Sequence, residues 1–329
     1  MTSGIKRRST LSEIAVPISF IETLSTQTAT LQQEAELGIL STPAYLSPKF
    51  FYDNLGSRLF EAITYLPEYY LTATEEIIFN QFGAEIQTQI GAKPLFIDLG
   101  AGNCQKAARF FDLLQPNLYV AVDFSITYLR TILSHLQSQY PAIPMMGIGM
   151  DFSQQLSLPP EVPQTPRTFF YPGSSLGNFL PTEALQLLKQ IQQESLGGGL
   201  LIGIDLFKSA RILEPAYNDP LLVTAAFNLN ILRNVNQLLE SNFEVTKFKH
   251  QIVINAELMR VELYLEALEA NTVQWHGKER HFKKGERIHT ENSHKYSLSS
   301  IQQLLTAAGF DKMEVWTDPQ QYYAVIYAT

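Results

Sequence analysis

Short apolar runs recur through the middle of the chain, each ending close to a glycine or an acidic residue. The runs are Leu95–Leu99, Leu118–Val122, Gly147–Met150, Thr168–Tyr171 and Leu200–Asp205. Runs of this length predict strands that are buried on both faces of a sheet. The segments between them, at about 105–114, 124–136 and 182–194, carry apolar residues at helical spacing and predict helices. This alternation predicts a parallel sheet that is covered by helices on both faces.

The pattern before this region is mostly helical. From about residue 20 to residue 90, apolar positions fall on one helical face at Ile21, Leu24, Leu31 and Ala35, and again over Leu59–Ile63. This spacing predicts helices.

The strand and helix alternation stops after Asp205. A helical pattern over about 208–240 is followed by three stretches that predict antiparallel strands: Phe248–Ile254, Arg260–Leu268 and Gln274–Phe282. A helix over Leu298–Ala308 and a strand-rich segment at about 315–327 then resume the α/β character. We therefore expect a sheet domain that is split by an insertion, with the N-terminal helices packed against that insertion.

Composition and charge narrow the classes of function. The 329 residues are 45% hydrophobic and 17% charged, which is typical of a globular protein, and the net charge of −8 offers no basic surface for nucleic acid. The single cysteine, Cys104, excludes an internal disulfide and favours a reducing compartment, so we expect a cytoplasmic protein. The residues after the basic cluster Lys6-Arg7-Arg8 do not form the apolar core of a signal peptide. We also expect no membrane-spanning segment, because no apolar run is long enough.

Three strand ends carry groups that suit a nucleoside. The first strand runs from Asp98 into the turn Gly100-Ala101-Gly102, where glycines allow a ligand to approach the backbone. Asp123 closes the second strand, where a carboxylate can accept hydrogen bonds from both ribose hydroxyls, and Asp151-Phe152 offers a carboxylate and an aromatic face. The turn matches neither a P-loop nor a dinucleotide fingerprint. It resembles the S-adenosylmethionine motif of class I methyltransferases.

Longer motifs carry a more specific resemblance. They are Phe51-Tyr52-Asp53, Gly56-Ser57, Leu59-Phe60, Ile63–Tyr70, Gly173–Asn178, Thr224–Asn228, Thr290–Lys295 and Trp316–Pro319. Together they resemble the histidine-specific methyltransferase family of ergothioneine biosynthesis, from about residue 40 to the end of the chain. The resemblance implies an S-adenosylmethionine-dependent enzyme that trimethylates the α-amino group of L-histidine to hercynine, which is histidine betaine.

The family fold is of the α/β class, with a class I (Rossmann-like) methyltransferase sheet and a second, inserted α+β substrate-binding domain. Residues 1–70 are then N-terminal helices of the substrate domain, with disorder expected in about the first 20. Residues 71–207 form the S-adenosylmethionine-binding domain, 208–294 the inserted domain, and 295–329 the return to the methyltransferase domain.

The resemblance also implies roles for individual residues. Those expected around the cofactor are Tyr69, Gly100, Lys106, Asp123, Asp151, Phe152 and Gly173. Those expected around the substrate are Tyr52, Phe60, Asn178, Tyr217, Leu263, Glu291 and Ser293. Tyr52 and Asn178 are the candidate catalytic residues, because Tyr52 would orient the amine and assist its proton loss while Asn178 and Tyr217 bind the carboxylate. Leu263 stands where the family carries methionine, a change that conserves volume.

The resemblance implies that Glu291 and Ser293 recognise the imidazole ring, so this pair indicates histidine as the substrate. A carboxylate facing one imidazole nitrogen and a hydroxyl facing the other would discriminate against apolar rings, because buried polar groups would be left unpaired. Two alternatives remain: the same fold acting on another amino acid such as tryptophan or a derivative, and a non-catalytic S-adenosylmethionine-binding module. We expect no metal, because the histidine spacings match no zinc signature, and we expect no required protein partner.

Overall fold

A computed structural model describes residues 18–23 and 27–329 of the chain. The helices lie at Gln27–Leu40 (α1), Asn54–Thr64 (α2), Tyr70–Ile90 (α3), Gln105–Ala108 (α4), Phe111–Leu114 (α5), Ile126–Gln139 (α6), Pro181–Glu194 (α7), Ala210–Tyr217 (α8), Val223–Leu239 (α9) and Leu298–Ala308 (α10). The strands lie at Ser19–Glu22 (β1), Ala44–Tyr45 (β2), Leu95–Leu99 (β3), Leu118–Asp123 (β4), Met145–Gly149 (β5), Arg167–Tyr171 (β6), Gly199–Asp205 (β7), Phe248–Asn255 (β8), Arg260–Ala267 (β9), Asn271–Trp275 (β10), Lys278–Phe282 (β11), Arg287–His294 (β12), Met313–Thr317 (β13) and Tyr323–Ala328 (β14). The basic cluster, most of the segment expected to be disordered, and Leu24 lie outside the described residues.

The main sheet has the order β1-β5-β4-β3-β6-β7-β14-β13 within the described ranges. Strands β1 and β3 to β7 run parallel, whereas β14 is antiparallel to both β7 and β13. The α/β sheet predicted from the sequence is confirmed. The chain moves in one direction from β3 to β5 and in the other from β6 to β7, so the order reverses between β3 and β6. Ligands bind at such a reversal, beyond the carboxyl ends of the strands.

Both faces of this sheet are buried, as the continuous apolar runs predicted. Successive side chains of a strand point to opposite faces. In β3, Leu95, Ile97 and Leu99 join a core with α7 and α10, whereas Phe96 joins the core that holds α3 and α6 on the other face. This burial leaves the ends of the strands as the accessible part of the sheet.

A second sheet has the order β2-β12-β9-β8, and β10 and β11 form a separate hairpin. The core beneath the second sheet includes side chains from α1 and α9, among them Ala35, Phe227 and Ile231. Helix α2 packs against α9, whereas α3 packs against β14 of the main sheet. We therefore propose a boundary between the two domains near residue 70. No helix in the described ranges is long and apolar enough to cross a lipid bilayer.

The helix predicted around Ile21 is wrong, because Ser19–Glu22 is an edge strand. Strand β1 pairs with β5, and the Phe20 ring occupies the space above Gly147, where an added Cβ would come within 2.7 Å of the ring. Four residues are too few to show a strand period. Pairing with the sheet edge therefore decides the conformation.

Two predicted helices are each divided in two. The helix over 105–114 breaks between α4 and α5, which allows the adjacent rings of Phe110 and Phe111 to be buried in different directions, against Phe79 and against Tyr119. The helix over 208–240 breaks at Asp219, whose carboxylate accepts the backbone N–H groups at the start of α9. Side chains that satisfy a helix end favour a new helix at that point.

Two errors concern the inserted domain. Gln274–Phe282 is not one strand, because His276 and Gly277 have φ of 44° and 76° and form the tight turn between β10 and β11. Strand β12 was not predicted at all. Its sequence, Arg-Ile-His-Thr-Glu-Asn-Ser-His, is polar because part of it lines a cavity and not an apolar core.

Candidate active site

A cavity of about 1340 Å³ opens at the carboxyl ends of the central strands, beside the reversal in strand order. It lies where ligands bind in open α/β sheets. Its wall includes every residue that the sequence predicted for the cofactor: Tyr69, Gly100, Lys106, Asp123, Asp151, Phe152 and Gly173. The structure therefore brings these seven residues to one cavity, although they lie up to 104 positions apart in the chain, from Tyr69 to Gly173.

The turn after β3 is held by the acid at the end of β4. The backbone N–H of Gly102 donates to Asp123 Oδ2 at 3.0 Å, and the N–H of Ser125 donates to Oδ1 at 3.0 Å. Burial raises the pKa of Asp123, and these N–H groups lower it in part. Each carboxylate oxygen keeps capacity for one more hydrogen bond, which suits the two hydroxyls of a ribose.

Asp151 and Phe152 follow β5 on the next part of the wall. Asp151 Oδ2 accepts from the Lys49 ammonium at 2.8 Å, and Lys49 also donates to Glu34 at 2.9 Å. The Phe152 ring packs edge-to-face against Tyr171, with ring centres 6.0 Å apart. Lys49 thus links the N-terminal segment to Asp151, one of the residues predicted to surround the cofactor.

A buried carboxylate, Glu75 on α3, organises the part of the wall nearest β6. Its Oε2 accepts from the Lys106 ammonium at 2.6 Å, and its Oε1 accepts from the Gly173 N–H at 2.8 Å and the Tyr323 hydroxyl at 2.7 Å. A Cβ added to Gly203 would stand 2.1 Å from Glu75 Oε1, so this position on β7 leaves the space that the carboxylate occupies. Lys106 remains partly exposed and has donors free for an anionic ligand.

A small cavity of about 60 Å³ adjoins the large one. Its wall includes every residue that the sequence predicted for the substrate: Tyr52, Phe60, Asn178, Tyr217, Leu263, Glu291 and Ser293. The residues that line both cavities include Tyr52, Phe60, Tyr69, Gly173 and Asn178. Tyr69, predicted for the cofactor alone, therefore stands at the junction of the two cavities.

Aromatic rings surround this junction. Tyr52 meets Phe60 with ring centres 6.0 Å apart, and Phe60 meets Tyr69 at 6.3 Å, both edge-to-face. Phe227 on α9 completes the group at 5.8 Å from Tyr52. Aromatic faces attract cations, including quaternary ammonium groups that cannot donate hydrogen bonds.

Polar groups stand at the other end of the small cavity. Burial raises the pKa of Glu291 to about 7, while the Lys295 charge and the Asn178 amide lower it in part. Near neutral pH the Glu291 carboxyl can therefore either accept or donate a proton. The hydroxyls of Tyr217 and Ser293 lie 2.8 Å apart, and both side chains are buried.

Burial raises the pKa of the Tyr52 phenol well above its usual value, and nearby negative charge, first that of Glu291, adds to this effect. Tyr52 is therefore a neutral phenol over the ordinary range of pH. Such a group can orient an amine by hydrogen bonding, but it does not act as a phenolate base.

Sequence reasoning missed several residues in these walls or directly behind them. Glu75 gave no signal, because an isolated acid in a helix is usually solvated. Lys49 and Phe227 lie within or beside recognised motifs but had no assigned role. Asp98, which begins the glycine turn, lines the large cavity; burial raises its pKa to about 7, and the Tyr119 hydroxyl donates to it at 2.8 Å. In the described ranges, no group of three or more His, Cys, Asp or Glu side chains could hold a metal ion.

The large cavity fits the expected S-adenosylmethionine by the chemistry of its wall. Gly100, Gly102 and Gly173 have φ of 69°, 51° and 77°, a conformation in which a side chain would be strained. Their backbones can therefore approach a ligand closely. Asp123 would hold the ribose, and Lys106 would hold the carboxylate of the methionine part.

Comparisons with known proteins identify the family. Residues 31–329 match the family model described as "Histidine-specific methyltransferase, SAM-dependent". The chain is 34% identical over 296 residues to the histidine N-alpha-methyltransferase of Mycolicibacterium smegmatis, covering 88% of this chain and 91% of that one. It is 29% identical to ergothioneine biosynthesis protein 1 of Neurospora crassa, covering 85% of this chain and 32% of that one.

A further relative is named for a different substrate. The chain is 25% identical to the 4-dimethylallyltryptophan N-methyltransferase easF of Claviceps purpurea, covering 88% of this chain and 91% of that one. The family model spans both cavities, from α1 through the last strand. The chain therefore belongs to the histidine-specific family of S-adenosylmethionine-dependent methyltransferases.

Proposed function

We propose that this enzyme transfers three methyl groups in succession from S-adenosylmethionine to the α-amino nitrogen of L-histidine, forming hercynine for ergothioneine biosynthesis. One observation carries the proposal: the small cavity has Glu291 and Ser293 in its wall and meets the cofactor cavity at Gly173 and Asn178. We place the ring between Glu291 and Ser293, an orientation that would direct the amine towards that junction. The name of the bacterial relative supports this substrate, and the name of the Neurospora crassa relative supports a role in ergothioneine biosynthesis.

The geometry supports binding of the amino acid by its three polar parts. Tyr217 and Asn178 would bind the carboxylate, and Glu291 and Ser293 would each meet one ring nitrogen. Leu263 lies opposite Glu291 in the β9–β12 pairing and closes the cavity with an apolar surface. A ring with two polar nitrogens fits two polar partners, whereas an apolar ring would leave both unpaired.

The chemistry requires alignment more than acid or base strength. Bound S-adenosylmethionine supplies an electrophilic methyl group on a sulfonium. The nitrogen lone pair forms the new N–C bond as the C–S bond breaks, so the protein needs to hold the three atoms in line. The α-amino group of a free amino acid titrates at roughly 8 to 9, against about 7.7 in peptides, so loss of its proton to water near neutral pH is a small step. Tyr52, as a neutral phenol, would orient the nitrogen.

The aromatic junction suits all three methylation states. The first two products can still hydrogen-bond to Tyr52 through a nitrogen proton, but the trimethylated nitrogen is a fixed cation without a donor. The rings of Tyr52, Phe60 and Tyr69 can stabilise that cation by their faces. One site therefore accommodates the amine, the intermediates and the product.

The second candidate is methylation of a tryptophan derivative, which the Claviceps purpurea relative favours. The polar wall of the small cavity supports histidine instead, because it holds both Glu291 and Ser293. An indole has a single N–H and no ring acceptor, so it would leave one of these two residues without a partner.

Mass spectrometry of products from a panel of amino acids tests the proposal. With S-adenosylmethionine and L-histidine we expect mono-, di- and trimethylated products, all modified on the α-amino nitrogen, and S-adenosylhomocysteine. Tryptophan and 4-dimethylallyltryptophan serve as competing substrates. Methylation of an imidazole nitrogen, or a preference for tryptophan, would contradict the proposed orientation.

We place the reaction in the cytoplasm, where the buried thiol of Cys104 remains reduced.

Asp123→Ala is expected to weaken binding of S-adenosylhomocysteine by about 1.5 kcal/mol, or roughly tenfold. The ribose hydroxyls would lose a charged acceptor, and the Gly102 N–H would lose the partner that fixes the turn. Isothermal titration calorimetry measures the change. Asp112→Ala, which removes an exposed acid on α5, is the control and should leave the affinity unchanged. Equal affinities for the Asp123 variant and the wild type would show that the ribose lies elsewhere.

A further inference from the structure

The ammonium group of Lys295 lies directly behind the small cavity, with no side-chain exposure. It donates to the Tyr217 hydroxyl at 2.6 Å and to Ser293 Oγ at 2.7 Å, and it forms an ion pair with Asp205 Oδ2 at 2.6 Å. An ammonium has three protons, so these three partners match its hydrogen-bonding capacity. The amine therefore has no donor left for the substrate and acts through its neighbours.

Counting protons defines what the two hydroxyls can offer to a ligand. Each hydroxyl has one proton and two lone pairs, and Lys295 occupies one lone pair on each. The bond between Tyr217 and Ser293, at 2.8 Å, uses one proton and one more lone pair. The pair is left with one outward donor on one residue and one outward acceptor on the other. Burial raises the pKa of Tyr217 well above its usual value, so its proton is retained.

We propose that Lys295 is a positioning residue that couples recognition of the substrate carboxylate to recognition of its ring. When the carboxylate accepts from Tyr217, the Ser293 hydroxyl must donate to Tyr217, and Ser293 is then an acceptor towards the cavity. The bound imidazole consequently donates an N–H to Ser293, and its other nitrogen faces Glu291. This inference rests on the proposed function, whose substrate it describes in more detail.

The position of Lys295 is itself fixed by the main sheet. Asp205, at the end of β7, also accepts from the Tyr70 hydroxyl at 2.9 and 2.8 Å and from the Lys208 ammonium. The backbone N–H of Tyr296 donates to the Asp205 carbonyl at 3.1 Å, which ties the chain after β12 to the same strand. The cofactor-binding sheet thus sets the orientation of hydroxyls in the substrate cavity.

Lys295 and Lys208 form a matched pair for an experiment, because both bind Asp205 but only Lys295 contacts the two hydroxyls. Lys295→Met keeps the length of the side chain and removes its protons. We expect this variant to raise KM for the amino acid at least tenfold, with a smaller change in kcat. Lys208→Met should change KM less than threefold. S-adenosylhomocysteine affinity, measured by calorimetry, should match the wild type in both variants.

A double-variant cycle with Tyr217→Phe separates positioning from general stability. If Lys295 acts through the hydroxyl pair, the effects of the two substitutions on kcat/KM overlap, and the double variant is within about threefold of the worse single variant. The inference would be overturned if the effects of Lys295→Met and Tyr217→Phe on kcat/KM multiplied in the double variant. It would also be overturned if Lys208→Met and Lys295→Met raised KM equally. The cycle is run on the amino acid that the wild type methylates best. Failure of the wild type to prefer histidine would therefore refute the proposed function, while the cycle still judges the role of Lys295.

Discussion

Glu75→Ala is expected to lower the free energy of unfolding by about 2 to 5 kcal/mol, because two buried donors lose their acceptor at once. The Gly173 N–H and the Tyr323 hydroxyl both depend on Glu75 Oε1, and the Glu75 side chain is only 1% exposed. Lys106 would also lose its partner, although its partial exposure allows water to compensate. Urea unfolding followed by circular dichroism measures the loss.

The neighbouring acid provides the control for this prediction. Glu76 pairs with Arg109 at 2.7 Å, but both side chains are 42% exposed. Exposed ion pairs contribute about 0 to 1 kcal/mol, so Glu76→Ala should be nearly neutral. A comparable loss in both variants would show that the Glu75 cluster has no special role. The Glu75 variant should also bind S-adenosylhomocysteine more weakly, since Lys106 and Gly173 would no longer be held in the cavity wall.

Glu291→Ala is expected to raise KM for histidine by about tenfold to a hundredfold, which corresponds to the loss of one buried polar partner, roughly 1 to 3 kcal/mol. The affinity for S-adenosylhomocysteine should remain close to that of the wild type, because Glu291 lines only the small cavity. The larger, uncharged cavity should also raise the relative efficiency with tryptophan, even if turnover stays low. Steady-state kinetics on both amino acids decides this.

Stability provides a check on the Glu291 variant. Burial raises the pKa of Glu291 from 4.5 to about 7, so the folded protein retains a proton that the unfolded chain has already released. Its contribution to stability is therefore greatest below pH 4.5 and falls as the pH rises to about 7. Relative to the wild type, the alanine variant should become more stable over that interval.

An unchanged preference for histidine over tryptophan in a folded Glu291→Ala variant would place the imidazole elsewhere.

The elements that were predictable are those whose signal is local. Strands β3, β4 and β7 are continuous apolar runs because both faces of the sheet are buried, and each ends at or beside an acid or a glycine turn. Helix α10 lies at the predicted residues, with Ile301 and Leu305 on its buried face. Polar β12 and the short edge strand β1 could not be predicted in this way, because a cavity decides the composition of the first and pairing decides the second.

The α/β order, the cofactor turn and the family follow from the amino-acid sequence alone, because strand runs, glycine turns and motifs are properties of neighbouring residues. Through the family motifs the sequence also named seven residues in the wall of each cavity. Which charges meet depends on the tertiary structure, which pairs Glu75 with Lys106 and Lys295 with Asp205. These pairs join positions that are 31 and 90 residues apart in the chain. The partner of each charge is fixed by the packing of helices on the sheet and of one domain on the other. Such packing is not a property of neighbouring residues in the sequence.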